Sequence, residues 1–342
     1  MYLRVPGGAL SYFSRAAGHN AEVYGELQRG GQVTDLPERI SVREVGPRDG
    51  LQNEAPVPTD GKVELLDALS RTGVGRIEAV SFVHPKAIPQ MADADEVWSR
   101  AARNPAVRYS ALVPNARGAQ RALDAGFTEI EAVLSASDTH NRKNINRSTA
   151  ESLDAIAELI ELVHARGATC QVVVATSFGC PYEGDVPVSR VVEVATRAVR
   201  DGADSLSFGD TTGMATPTRV TALVGEVRSA LPETAINLHF HNTRGTGLAN
   251  VLAAMQLGVD DFDASVGGLG GCPYAPGASG NIATEELVHM VEDMGVGTGV
   301  DLEAMIDAAR TAESVVGRQL SSQVLRAGPR TRLTPLDGAI CD

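Results

Sequence analysis

From Ile40 onward the apolar positions of the chain fall into a regular beat. Short β-branched runs are followed by longer, Ala-rich stretches in which apolar residues recur at helical spacing. The runs predict strands at Ile40–Val45, Arg76–Ser81, Val107–Val113, Glu129–Leu134, Thr169–Thr176, Ser205–Gly209, Ile236–His241 and Phe262–Val266. Between them the pattern predicts helices at Gly61–Arg71, Met91–Arg103, Arg117–Ala125, Ala150–Ala165, Ser189–Arg200, Thr218–Ala230 and Leu248–Gln256, with an eighth at Thr284–Met294. Thr59-Asp60, Ser148-Thr149 and Thr216-Pro217 mark helix starts. Gly73, Gly126, Gly167, Gly202 and Gly258 mark helix ends.

Eight repeats of strand then helix call for a parallel sheet closed into a (β/α)8 TIM barrel. An open, doubly wound sheet is the competitor. It would place a glycine fingerprint after the first strand, where this chain has Gly46-Pro47-Arg48-Asp49-Gly50, which is no dinucleotide motif. The barrel domain is expected over 39–320. Before it, residues 1–38 carry Gly7-Gly8, Gly30-Gly31 and scattered charges without an apolar core, and are expected to form a flexible N-terminal extension. After Gly299 the pattern is again helical at Leu302–Val316, then polar and Pro-rich, so flanking helices and a C-terminal tail (321–342) are expected.

At 342 residues the chain suits one such barrel with short additions. Aromatics make up only 4 %, so Ala, Val, Leu and Ile must build the core. The net charge of −13 argues against a nucleic-acid partner or an anionic membrane surface. No stretch approaches the roughly 18 apolar residues of a membrane span. The four cysteines, Cys170, Cys180, Cys272 and Cys341, show neither CxxC pairing nor zinc-ribbon spacing, which places the expected compartment in the reducing cytoplasm.

In a barrel, reacting groups gather where strands end and loops begin. The first predicted strand runs into Arg48-Asp49, the sixth into Asp210, and Glu78 lies within the second. On the seventh, side-chain alternation puts Asn237, His239 and His241 on one face and Leu238 and Phe240 on the other. If the apolar face packs under helices, both imidazoles point into the barrel mouth. Two such histidines either grip a metal ion or form a hydrogen-bonded structural pair. Asp49 and Asn281 add oxygen donors on neighbouring strands, and that donor set suits Mg2+ or Mn2+, with Zn2+ also compatible. Arg48 would stabilise an oxyanion or enolate, or else serve as an ion-pair partner of Glu78 or Asp210. Asp210 would relay a proton or cap the following helix. The eighth strand opens into Gly267-Gly268-Leu269-Gly270-Gly271-Cys272, whose cysteine would act as an acid or base beside the metal or merely fill space.

Taken together these segments resemble the 3-hydroxy-3-methylglutaryl-CoA lyase family, metal-dependent lyases and aldolases on a pyruvate-carboxyltransferase-like TIM barrel. The resemblance rests on Pro47-Arg48-Asp49-Gly50-Leu51-Gln52-Asn53-Glu54, Ser81 to Lys86, Arg142 to Asn146, Gly179 to Gly184, Gly209-Asp210-Thr211, the His239/His241 strand and the glycine loop through Asn281. It implies cleavage of a 3-hydroxy-3-methylglutaryl-CoA-like thioester to acetyl-CoA and a keto acid. It further implies a divalent cation (Mg2+ or Mn2+) held by Asp49, His239, His241 and Asn281, with an enolate steadied by Arg48. Proton transfer would fall to Cys272, positioning to Glu78 and Asp210, and the acyl pocket to Gln52 and Thr211. An acyl-CoA is the implied partner, and a homodimer is expected by family analogy.

One stretch departs from the pattern. After His241 the family carries Asp-Thr-Tyr-Gly-Gln, whereas this chain has Asn242-Thr243-Arg244-Gly245-Thr246. The lost acid and added cation leave open a citramalyl-CoA or a longer, branched 3-hydroxyacyl-CoA as substrate. Arg142, Lys143 and Arg147 would meet CoA phosphates or form a solvated basic loop. A Claisen-condensing synthase shares the Arg-Asp-Gly and His-x-His elements but not the cysteine loop, and a non-catalytic acyl-CoA-binding paralogue is the remaining alternative.

Overall fold

A computed structural model describes residues 36–271 and 280–333 of the chain. Eight parallel strands among them, β1 (Ser41–Glu44), β2 (Arg76–Ser81), β3 (Arg108–Val113), β4 (Glu129–Ser135), β5 (Thr169–Ala175), β6 (Ser205–Gly209), β7 (Ala235–His239) and β8 (Asp261–Ala264), close into a barrel in sequence order. Closure comes from β1 pairing with both β2 and β8. Every predicted strand is present. The largest shifts in their limits fall at the mouth, where His241 leaves β7 to make an isolated bridge with Asn281.

The helices follow the strands, all but α4 where the periodicity predicts: α1 (Thr59–Leu69), α2 (Ala94–Arg100), α3 (Ala116–Asp124), α4 (Asp138–Ile145), α5 (Thr149–Ala165), α6 (Val188–Arg200), α7 (Pro217–Ala230), α8 (Gly247–Met255) and α9 (Thr284–Asp293). Ser148 opens α5 with a full capping box, its hydroxyl accepting from Glu151 N while the Glu151 carboxylate accepts from Ser148 N. Two helices were not in the sequence pattern. One is α4, where Ser137 caps the first turn and Asn146 ends the last in the left-handed region. Beyond α10 (Leu302–Val316), the other is α11 (Gln323–Ala327), which buries Val324 and Leu325 where composition alone suggests a tail. No helix among the described residues is long and apolar enough to cross a membrane.

Outward strand positions such as Leu238 and Phe262 pack under helices that bury Leu65, Leu66, Val191 and Val194. One aromatic cluster lies on the β3–β4 side, with Trp98 stacked on Phe127 at 4.1 Å and edge-on to Tyr109. Inside the barrel the usual Val, Ile and Leu layers give way to charge. Arg43 of β1, 1 % exposed, crosses the interior to Gln171 of β5 and Asp263 of β8, and pairs with Glu131 of β4. This charged layer lies one step below the mouth.

Candidate functional site

After β1 the backbone widens into a π-helical turn, Gly46–Gly50, in which the N–H groups of Arg48, Asp49 and Gly50 all point to Val45 O. Such turns re-aim side chains and recur at functional sites. Gly46 is required here: a Cβ would stand 2.6 Å from Glu44 Oε1. That carboxylate accepts from the N–H of Gly46 at 2.7 Å and of Val266 at 2.9 Å, and from the Thr284 hydroxyl at 2.5 Å. It therefore ties the turn carrying Arg48 and Asp49 to the end of β8 and the start of α9. Burial pushes the Glu44 carboxyl up to about 7, and Glu285 nearby adds to the effect although these hydrogen bonds oppose it.

The turn aims Arg48 at two carboxylates, Asp49 Oδ1 and Glu78 Oε2, each at 2.6 Å. Glu78 stands where the β2–β3 register shifts. Asp49, His239 and His241 then offer ligand atoms that all lie within 4.8 Å of one another. The two imidazoles face each other, Nε2 to Nε2, at 3.2 Å. Asn281 joins them by donating Nδ2 to Asp49 Oδ2 at 2.8 Å and to Leu269 O at 3.1 Å. The sequence-derived set Arg48, Asp49, Glu78, His239, His241 and Asn281 is thus brought together from the turn after β1, from β2, from the end of β7 and from the segment before α9.

The residues present fit a cation. Asn281 Oδ1 and His241 Nδ1 are buried and have no partner among the described residues, so each imidazole and amide still has an atom to offer. Two nitrogens bound at right angles to one ion, each about 2.1 Å from it, stand roughly 3 Å apart, close to the separation of the two Nε2 atoms. The charge agrees as well. Asp49, Glu78, Glu131 and Asp263 stand against Arg43 and Arg48, an excess of two negative charges when all are ionised.

Burial and the neighbouring charges together set the protonation of the site. Burial pushes Glu78 up to about 8, and nearby Glu131 adds to the effect although Arg48 opposes it. For Asp49 burial also works against ionisation, but Arg48, His239 and His241 outweigh it and hold the carboxyl well below the usual range. His241 is pushed down to about 3 by burial and by His239. A neutral imidazole beside an ionised carboxylate is the ligand form.

Asp210 follows β6 and braces the loop ahead of α7 without capping the helix itself, which begins at Pro217 after Thr216. Its Oδ1 accepts from Met214 N at 2.7 Å and Ala215 N at 3.0 Å, tightening the loop ahead of α7, while Oδ2 has no partner among the described residues. Burial raises its pKa to about 6. Thr211 is half-buried and accepts from Thr176 N at 2.8 Å, joining the β5 and β6 loops. Gln52, also half-buried, makes no side-chain hydrogen bond among the described residues. Cys272 lies outside the described residues.

The departures from the family string have local explanations. Asn242 Oδ1 accepts from Gly247 N at the start of α8, a role an aspartate would fill equally. Arg244 donates to the carbonyls of Thr212 and Gly213 at 2.7 and 2.9 Å, clamping the loop after Asp210. Arg142 pairs with Asp138 on its own helix, and Lys143 Nζ lies over the Tyr182 ring. Sequence reasoning missed Asp263, whose carboxylate stands 3.1 Å from His239 Nδ1, and Arg43, which holds it. The signal was the alternation of Asp261 and Asp263 on the same inward face as His239 on the next strand.

Known proteins resemble this chain over most of its length. The family model described as HMGL-like matches residues 39–312. The hydroxymethylglutaryl-CoA lyase of Bacillus subtilis is 46 % identical over 291 residues, 85 % of this chain and 97 % of the relative. The (R)-citramalyl-CoA lyase of Chloroflexus aurantiacus is 45 % identical over 303 residues, 85 % of this chain and 96 % of its own length. An HMG-CoA lyase from Acinetobacter baumannii, solved in complex with coenzyme A and 3-methylmalate, superposes with a TM-score of 0.83 at 46 % identity, covering 87 % of this chain and 98 % of that one.

Proposed function

The chain belongs to the HMGL-like family, and we propose that it is a divalent-cation-dependent carbon–carbon lyase. Its substrate is a 3-hydroxyacyl-CoA of the 3-hydroxy-3-methylglutaryl type, cleaved to acetyl-CoA and a keto acid. The observation that carries this reading is the convergence of Asp49, His239 and His241 within 4.8 Å, with Arg48 bonded to Asp49 beside them.

Asp49, His239, His241 and Asn281 would hold the cation. Bound there, a Mg2+ or Mn2+ ion lowers the pKa of the substrate's tertiary hydroxyl. Asp210, whose Oδ2 has no partner among the described residues and whose pKa is raised to about 6, is suited to take that hydroxyl proton. The new carbonyl forms as the bond between C2 and C3 breaks and its electron pair moves into the thioester as an enolate. The Arg48 guanidinium, fixed by Glu78, meets the developing negative charge without having to reorganise. Protonation of C2 then yields acetyl-CoA, and Cys272 is the proposed donor. Gln52 and Thr211 face the acyl chain, and the basic stretch Arg142, Lys143 and Arg147 would meet a CoA phosphate, with Arg142 paired to Asp138 and Lys143 lying over the Tyr182 ring.

The (R)-citramalyl-CoA relative is nearly as similar as the hydroxymethylglutaryl-CoA relatives, so citramalyl-CoA is the second substrate to test. Purified protein with Mg2+ or Mn2+ is to be assayed on both thioesters, following acetyl-CoA and the keto acid. Turnover of one or both supports the lyase reading. Absence of acetyl-CoA from either, in a folded and metal-loaded sample, rules it out.

A further inference from the structure

Below the candidate ligands, Asp263 of β8 receives four donors on its two oxygens. Oδ1 accepts from Arg43 Nε at 2.8 Å and Asn237 Nδ2 at 3.0 Å. Oδ2 accepts from Arg43 Nη2 at 2.7 Å and stands 3.1 Å from His239 Nδ1. Arg43 grips it bidentately, the strongest and most directional form of such a pair. Arg43 is itself fixed at the far side by Gln171 at 2.7 Å and Glu131 at 2.7 Å, so the carboxylate cannot swing away.

A carboxylate held by a guanidinium in this way only accepts hydrogen bonds. His239 Nδ1 must then be the donor, which leaves its Nε2 with a lone pair directed at His241 and Asp49. We propose that Asp263, locked by Arg43, is the positioning residue that fixes the tautomer and ring plane of His239 and so sets the strength of the cation site. His241 has no such support, since its Nδ1 has no partner among the described residues. The two histidines are therefore unequal: His239 is the pre-organised ligand and His241 the adjustable one. This rests on the cation reading above. A carboxylate behind a ligating histidine contributes about 10–100-fold in metal affinity.

Two measurements test it. In the Mg2+-loaded wild type, the 15N signals of labelled histidine should show His239 protonated at Nδ1 and not at Nε2. The reverse tautomer overturns the proposal, and this test requires no variant to fold. Separately, metal-free wild type, Asp263→Asn and Asp261→Asn are titrated with Mn2+, following free Mn2+ by electron paramagnetic resonance. Asp261 serves as the control because it lies on the same strand, bonds Arg76 at 2.5 Å and does not touch His239. Asp263→Asn should bind Mn2+ about 10–100-fold more weakly, with Asp261→Asn matching the wild type. Equal affinity of Asp263→Asn and wild type overturns the proposal, as does equal weakening in the control. A wild type that binds no Mn2+ would instead remove the cation reading itself.

Discussion

At the scale of single residues, the site depends on charges whose partners are fixed before any substrate arrives. Arg48 is the clearest case, held between Asp49 and Glu78 at 2.6 Å each. Arg48→Met should lower turnover roughly 10²–10³-fold while the protein stays folded, because Glu78 already protonates readily and would be left neutral rather than charged. Steady-state kinetics beside a thermal melt checks this, and near-normal turnover would contradict the role. Glu44 gives a pH prediction. Its folded pKa, about 7, exceeds the ordinary 4.5, so the folded state holds the proton longer than the unfolded chain. Stability from that group is complete below pH 4.5 and is lost as the pH rises to about 7. The advantage of wild type over Glu44→Gln should therefore shrink by about 3 kcal/mol across that window, and denaturant melts at several pH values would read it; a pH-independent difference would contradict it. His239, His241 and Asp49 were legible in the sequence because strand alternation and a strand end place them. Asp263 was not, because its partner Arg43 is 220 positions away in the chain and an acid on a strand reads only as a polar interruption.

At the scale of elements, the strand–helix beat made the barrel legible, since period-two and helical spacing are both recorded in the chain. What escaped were elements whose making is not hydrophobic. Helix α4 carries few apolar residues and is set by the Ser137 cap and by contacts of its buried His140 and Asn141. The π-helical turn at Gly46–Gly50 depends on Glu44 reaching two backbone N–H groups, one of them just past the adjacent strand β8 and 222 positions away in the chain. Such features arise from tertiary contacts and leave no local period. Two substitutions separate an element's stability from its role in the site. Ser148→Ala removes the α5 capping box and should cost about 1 kcal/mol with turnover unchanged. Gly267 has φ of 65° and a Cβ there would lie 2.2 Å from Leu320 Cδ1, so Gly267→Ala should lower both the melting point and turnover. Equal turnover in the two variants would contradict a role for the Gly267 turn in holding the site.

At the scale of the whole molecule, the carboxyl groups of Asp49, Glu78, Glu131 and Asp263 outnumber the guanidinium groups of Arg43 and Arg48 at and just below the barrel mouth, a setting that favours a bound cation. A cation binding only the folded state stabilises it by about 2.7 kcal/mol at a hundredfold excess over its dissociation constant. Chelation should accordingly lower the melting temperature, and Mg2+ or Mn2+ should restore it; a melt indifferent to both would contradict the site. The central claim, a cation-dependent carbon–carbon lyase, is tested most directly by acetyl-CoA release from 3-hydroxy-3-methylglutaryl-CoA and from citramalyl-CoA by one purified sample, before chelation, after it, and after metal is returned. The account predicts release from at least one thioester, its loss on exhaustive chelation and its recovery with Mg2+ or Mn2+. Release that persists undiminished without metal, or no release from either thioester by the loaded protein, would contradict it.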